Sequence, residues 1–240
     1  RDLNMDFSGK FEVFYELFIV QGGWKRVVSI GLVNTLLIAV IGLIIGMILG
    51  TVIAAVRVMP KYKRLPRILD KICSCYVGFF RGTPLVVQLL IAYYVLWPLL
   101  NISISSLNTS IIVFGLNSAA YVSEIMRGGI QSVDIGQTEG GRAMGLSYGA
   151  TMMKIVIPQA IKNILPTLGN EFIALIKDTS VVSFVAATDL YKTFTEIGNV
   201  RYEYFVPYLA MAVVYMVLVL IISFLVKIME RSLRKGDKSI

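Results

Sequence analysis

The 240-residue chain contains no histidine, only two cysteines and few charged residues. The lack of histidine removes the commonest metal ligand and the usual proton shuttle, so no metal site is predicted. Cys73 and Cys75 lie in one apolar run at a spacing that does not allow a relaxed disulfide. We therefore predict two buried free thiols. A membrane enzyme is also disfavoured, because the chain has no Ser/His, His-rich or paired-cysteine constellation.

Charge is scarce and apolar residues are abundant. Charged residues make up 16% of the chain and hydrophobic residues 56%, whereas a soluble domain carries about 25% charged residues. Runs of about 20 apolar residues can cross a bilayer core of roughly 30 Å. The composition therefore predicts an all-α integral membrane protein. We expect five spans, at about 27–56, 62–100, 111–127, 155–176 and 204–227.

Two sequence features bear on how these spans pack. The second span contains Arg81-Gly-Thr-Pro84, and because proline removes a backbone hydrogen bond, we expect one long span broken at 81–84. Gly42, Gly46 and Gly50 repeat every four residues along the first span. Such a groove of small residues allows close helix approach, either at a subunit interface or within the chain.

The distribution of charge predicts the orientation. Residues 1–26 interleave charges and aromatic residues, as expected of an amphipathic segment in the membrane interface that ends at Gly22-Gly23. Basic residues cluster after the first span and in a basic tail at 231–240, and such clusters mark the cytoplasmic side. Five spans then place the N-terminus outside, the C-terminus inside, and 101–110 and 177–203 as external segments. The net charge of +8 is assigned to the membrane, because no nucleic-acid-binding module accompanies it.

One stretch resembles a known family motif. Glu139-Gly-Gly-Arg-Ala-Met-Gly145 followed by Ile155-Val-Ile-Pro158 is similar to the "EAA" motif of permease subunits of ATP-driven (ABC-type) importers. The resemblance implies the type I importer fold, with a cytoplasmic coupling helix at about 136–149 that a separate ATPase grips. The implied ATPase-coupling residues are Glu139, Gly140, Gly141, Arg142, Ala143, Gly145, Ile155 and Pro158. Glu139 is expected to cap its helix or to pair with a nearby base, and Arg142 to bond the ATPase.

Further segments narrow the resemblance to permeases of polar amino acid importers: Phe79–Leu85, Glu124–Ile130, Gly169–Ile173 and Lys177–Ser180. This resemblance implies a bacterial inner-membrane assembly of two ATP-binding subunits, an extracellular or periplasmic binding protein and a second permease, either a copy or a paralogue. The chain has no phosphate-loop motif. We therefore expect a transport subunit without its own cofactor, with ATP and magnesium bound by the partner ATPase.

We predict that Arg81, Thr83, Asn170, Glu171 and Asp178 bind the substrate. A guanidinium matches the carboxylate of an amino acid, but Arg81 could instead reach an interface or pair with an internal Glu. The carboxylates of Glu171 and Asp178 share one helix face, and they could hold a cationic side chain or only the α-amino group. Asp178 could also pair with Lys177 or Arg201.

The alternative class is a secondary transporter or channel driven by an ion gradient. It is disfavoured because the sequence shows no internal duplication and few intramembrane acids. One of these acids, Glu124, is expected to form a simple helix-surface pair with Arg127.

Overall fold

The computed structural model describes residues 6–235, which form helices and turns with no strand among them. The predicted all-α fold is therefore confirmed. In chain order the α-helices are α1 Phe7–Tyr15, α2 Gly23–Arg26, α3 Val33–Val58, α4 Arg64–Gly82, α5 Leu85–Ile91, α6 Trp97–Leu99, α7 Ser106–Gln131, α8 Ile135–Ala143, α9 Tyr148–Thr151, α10 Ile157–Asp178, α11 Leu190–Arg201 and α12 Phe205–Lys235. Residues 1–5 of the predicted interfacial segment and 236–240 of the predicted basic tail lie outside the described residues.

Within the described part, three continuous helices are long and apolar enough to cross a membrane: Gly23–Val58, Ser106–Gln131 and Phe205–Leu233. Arg64–Gly82 and Leu85–Leu99 add a fourth if the broken pair is one span. The more polar helix α10 does not meet the same criterion, so the fifth span stays a prediction. The third span also begins earlier than expected, because α7 starts inside the segment 101–110 that was predicted to be a loop.

The second predicted span breaks where the sequence indicated. α4 ends at Gly82, and Thr83 adopts an extended conformation (φ −121°, ψ 145°) before Pro84. Proline restricts the preceding residue to this region and supplies no N–H to the helix. The hydroxyl of Thr83 donates a hydrogen bond to the carbonyl oxygen of Phe79 at 2.8 Å, which satisfies one of the free carbonyls at the end of α4.

The described part of the chain divides into two compact units. The first comprises the described residues of Arg1–Gly42, with Pro84–Phe114 and Leu175–Ile221. Its core cluster contains Leu17, Val27, Leu190, Phe194 and Ile197. Three of these residues lie on α11, a helix within the segment 177–203 for which the sequence predicted only a mixed-charge external segment.

The N-terminal segment packs onto this helix. Phe18 stacks on Phe194 with a ring separation of 6.1 Å, and Lys10 forms an ion pair with Glu203 at 3.7 Å. Gly22 has a left-handed conformation (φ +76°), so the chain turns there before α2 begins. Aromatic residues of this segment therefore contribute to the protein core as well as to an exposed face.

A fully buried carboxylate begins α11. Asp189 is 0% exposed, and its side chain accepts hydrogen bonds from the backbone N–H groups of Tyr191 and Lys192. It is therefore the N-cap of the helix. Burial raises the pKa of the Asp189 carboxyl, and the backbone hydrogen bonds oppose that rise.

The second unit comprises Leu43–Thr83, Gly115–Ala174 and the described residues of Ile222–Ile240. Its glycines allow close packing inside the chain. A Cβ on Gly46 would lie 2.5 Å from Ser118 Oγ, and one on Gly50 would lie 2.8 Å from Val122 Cβ. At Gly46 and Gly50, two of the three glycines of the groove, the close helix approach is therefore made within the chain, which was one of the two predicted alternatives.

The prediction of two free thiols is confirmed, but the prediction that both are buried is wrong. Both cysteines are free, Cys73 is half-buried, and Cys75 is exposed. The apolar run around them forms part of α4, and an exposed face of such a helix can carry apolar residues where it meets lipid.

Candidate functional site

Most of the predicted coupling residues lie on α8. Gly145 lies in the turn after it, Ile155 in the π-helical stretch Met152–Val156, and Pro158 at the start of α10. The side chain of Asp134 accepts a hydrogen bond from the backbone N–H of Gly136 at 2.6 Å and so begins α8. The helix ends at Ala143, and Gly145 adopts a left-handed conformation (φ +83°). It is therefore shorter than the predicted 136–149, because a left-handed glycine ends a helix by turning the chain away.

Glu139 does not cap this helix. It lies in the middle of α8 and its side chain is exposed, while the cap is Asp134. The expected capping role is therefore wrong: the free N–H groups of a helix lie in its first turn, which Glu139 does not occupy. The exposed carboxylate of Glu139 remains available to a basic partner.

The two glycines of the motif have different surroundings. Gly141 is buried, and a Cβ there would lie 2.8 Å from Thr151 Cγ2 and 3.0 Å from Ile155 Cδ1. Gly140 is exposed, and a Cβ there would meet nothing within 4 Å. Gly141 thus allows α8 to pack closely against its own chain, whereas Gly140 leaves the exposed side of α8 without a protruding side chain.

The remaining residues predicted for coupling also divide between these faces. Arg142, Ala143, Gly145 and Pro158 are exposed, whereas Ile155 is half-buried against Gly141. A side-chain hydrogen bond of 3.2 Å from Gln159 to Gln137 also joins α10 to α8. The exposed set forms a surface of small residues with one acid and one base, a composition suited to close docking of another protein.

The short helix α9 is joined to the end of α3. The hydroxyl of Tyr148 donates a hydrogen bond to the carbonyl oxygen of Val58 at 3.2 Å. Burial raises the pKa of this hydroxyl, so it remains a donor at neutral pH. An apolar groove of about 450 Å³ lies beside this contact and is lined by residues that include Val58, Met126, Met153 and Ile161.

Three arginines surround Glu124 and form a four-residue charged cluster with it. Its carboxylate pairs with Arg57 on α3, with Arg127 at 2.6 Å on its own helix α7, and with Arg81 at 3.7 Å on α4. The predicted pair of Glu124 and Arg127 is confirmed. The partner on α3 was not predicted, because 67 residues separate it from Glu124 and no local pattern links them.

The predicted substrate residues are spread over two helices. Arg81 and Thr83 lie at the end of α4, and the internal glutamate considered for Arg81 is Glu124. The guanidinium of Arg81 also lies over the ring of Tyr121 at 5.4 Å, a favourable cation–π arrangement. Asn170 and Glu171 lie on α10, which ends at Asp178. Asn170 and Asp178 are exposed and Glu171 is half-buried.

Comparison with known protein families identifies the family to which the chain belongs. Residues 42–235 match the family described as the inner membrane component of binding-protein-dependent transport systems. This stretch includes α8, the Glu124 cluster and most of the helices. The chain belongs to this family.

Curated relatives and solved structures agree with the family match. The chain is 42% identical over 166 residues to the arginine transport system permease protein ArtQ of Bacillus subtilis (strain 168), covering 69% of this chain and 76% of that protein. It is 36% identical over 216 residues to the L-cystine transport system permease protein TcyB of the same organism, covering 90% of each. A crystal structure of an amino acid ABC transporter with histidines shares 36% identity and a TM-score of 0.81, over 96% of this chain and 100% of that one.

A more distant structure extends the likeness of the fold. The MetNI methionine ABC transporter in an inward-facing conformation has a TM-score of 0.71 at 18% identity, over 95% of this chain and 99% of that one. The family match confirms the resemblance to permease subunits of ABC importers that was inferred from the motif around Glu139. The solved structures confirm the type I importer fold. The chain is accordingly a multi-pass protein of the inner membrane.

Proposed function

We propose that this permease carries a polar amino acid inward across the membrane by alternating access, driven by a separate ATPase. The observation that carries the proposal is the exposed, small-residue face of α8 in a chain of this family. The names of similar permeases support the substrate class, since they specify arginine, glutamine and L-cystine.

The ATPase docks on α8 in this proposal. Gly140 lets the partner approach the helix backbone closely, while Glu139 and Arg142 offer charge-assisted hydrogen bonds at either side of it. ATP and magnesium are bound by a dimer of ATPase subunits. A second permease subunit, either a copy or a paralogue, completes the membrane part of the assembly, and an external binding protein delivers the substrate.

The substrate contacts are proposed at Arg81, Thr83, Asn170, Glu171 and Asp178. A carboxylate of α10 attracts the amino group of any amino acid and also attracts a cationic side chain, so we propose a preference for cationic substrates. Arg81 is engaged with Glu124 and Tyr121. It must exchange one of these contacts to bind the carboxylate of a substrate.

Reconstitution in liposomes tests the transport function. The permease, its ATPase and its binding protein should accumulate a labelled amino acid only with ATP, and unlabelled arginine or lysine should compete better than glutamine. Glu171→Gln should raise the half-saturating concentration for a cationic substrate by about tenfold, since a hydrogen-bonded charge contributes about 1.5–3 kcal/mol. Glu12→Gln, an exposed carboxylate on α1, is the matched control. Uptake driven by an ion gradient without ATP would contradict the proposal.

Copurification tests the docking surface. Gly140→Trp places a large side chain on the open face of α8 and should abolish recovery of the ATPase with the permease. Val20→Trp adds the same bulk at a position that is 69% exposed on the predicted outer side, and it should leave the recovery unchanged. Equal recovery with both variants would place the ATPase contact elsewhere.

A further inference from the structure

Glu124 is the acidic centre of a cluster that joins three helices. Its two carboxylate oxygens contact guanidinium groups from α3, α4 and α7. The exposed fraction of the Glu124 side chain is 18%, and that of Arg57 is 15%, so this contact is shielded from solvent more than a surface ion pair. Such charge-assisted bonds are stronger than neutral ones and hold their partners in a defined geometry.

The same cluster is connected to the coupling helix through contacts within one unit. Arg57 directly precedes Val58, whose carbonyl oxygen accepts the hydrogen bond from Tyr148. Tyr148 begins the short helix α9, and Thr151 at its end packs against Gly141 of α8. A continuous series of contacts therefore runs from α8 to the end of α3 and on to Glu124.

We propose that Glu124 is a positioning residue that transmits movement of the coupling helix to the ends of α3, α4 and α7. This inference rests on the proposed function, because it concerns how ATP hydrolysis on the partner is converted into transport. Displacement of α8 moves the end of α3 through Tyr148, and Glu124 makes α4 and α7 follow. The residue contacts neither substrate nor ATPase in this scheme; it keeps three helix ends moving together.

The charge balance explains why a glutamate is required at this position. One carboxylate faces three guanidinium groups, so a neutral residue would leave three like charges close together. In a partly buried site this repulsion is only weakly screened. Arg81 and Arg127 have other contacts, with Tyr121 and Gln131 respectively, and they would separate from Arg57. The helix ends would then lose their common connection to α8.

The test measures ATP hydrolysed per substrate transported in liposomes with the complete transporter. Glu124→Gln should preserve ATPase activity but raise the ATP consumed per transported molecule by about tenfold, a typical size for a coupling between two sites. Glu124→Asp should restore most of the coupling, because it keeps the charge. Tyr148→Phe, which removes only the hydroxyl, should give a smaller increase of about threefold, within the range of one lost hydrogen bond. Asp70→Asn, which removes a pair with Lys61 that lies outside the Glu124 cluster, should leave the ratio unchanged.

The outcomes separate this inference from the proposed function. If the unmodified permease shows no ATP-dependent uptake, the proposed function fails. If it transports while Glu124→Gln and Tyr148→Phe keep its ATP-to-substrate ratio, the transmission role of Glu124 is wrong. If Glu124→Gln prevents assembly of the transporter, Tyr148→Phe and Glu124→Asp test the transmission role instead, because neither variant leaves an uncompensated charge. A parallel loss of ATPase activity and uptake in these two variants would show that Glu124 and Tyr148 have a purely structural role, and the proposal would be wrong.

Discussion

Gly140 and Gly141 are neighbours whose surroundings differ, and this difference can be measured. Alanine at either position gains the same helix propensity of about 1 kcal/mol. Only at Gly141 would the new Cβ lie within 3.0 Å of Thr151 and Ile155. We expect Gly141→Ala to be less stable than Gly140→Ala by about 1–3 kcal/mol, the usual cost of overpacking. Thermal unfolding of the two purified variants in detergent gives this difference, and equal midpoints would contradict the assigned packing of α8.

At this scale the sequence indicates where the candidate functional residues lie better than it indicates what each side chain does. The motif indicated the stretch that forms α8, but it could not show that Asp134 rather than Glu139 begins the helix, since capping depends on where the first turn forms. Likewise, Glu124 and Arg127 are recognisable as a pair from their spacing of three residues. The contact with Arg57 depends on how α3 packs against α7, and no local pattern encodes it.

The turn after α8 determines where this helix ends. Gly145 has φ +83°, whereas Gly149 lies in the next helix, and a Cβ at either position would meet nothing within 4 Å. Gly145→Ala should therefore destabilise the protein by about 1–2 kcal/mol, because an L-residue is strained in the left-handed region. Gly149→Ala should be neutral or stabilise by up to about 1 kcal/mol. Chemical denaturation of both variants measures the effect, and a stable Gly145→Ala would argue against this end of α8.

Elements with strong local signals were predictable, and elements that depend on packing were not. Pro84 broke the second span where expected, and the chain turns at Gly22, because both residues act on the backbone itself. α11 was missed since its 12 residues contain threonines and mixed charges. Its apolar side is recognised only when Phe194 is seen to pack against Phe18. Tertiary burial, rather than propensity, stabilises a helix of this length.

At the scale of the whole molecule, the proposed mechanism requires that α8 face the cytoplasm. Positive charge after the first span predicts this orientation, and labelling of single cysteines tests it. In a background with Cys73→Ser and Cys75→Ser, we expect Gly140→Cys and Lys63→Cys to react with a membrane-impermeant maleimide only after permeabilisation. Ser103→Cys, in the exposed turn before α7, should react in intact cells. Because all three positions are exposed, differences in reactivity report sidedness rather than burial, and reaction of Gly140→Cys in intact cells would separate α8 from any cytoplasmic ATPase.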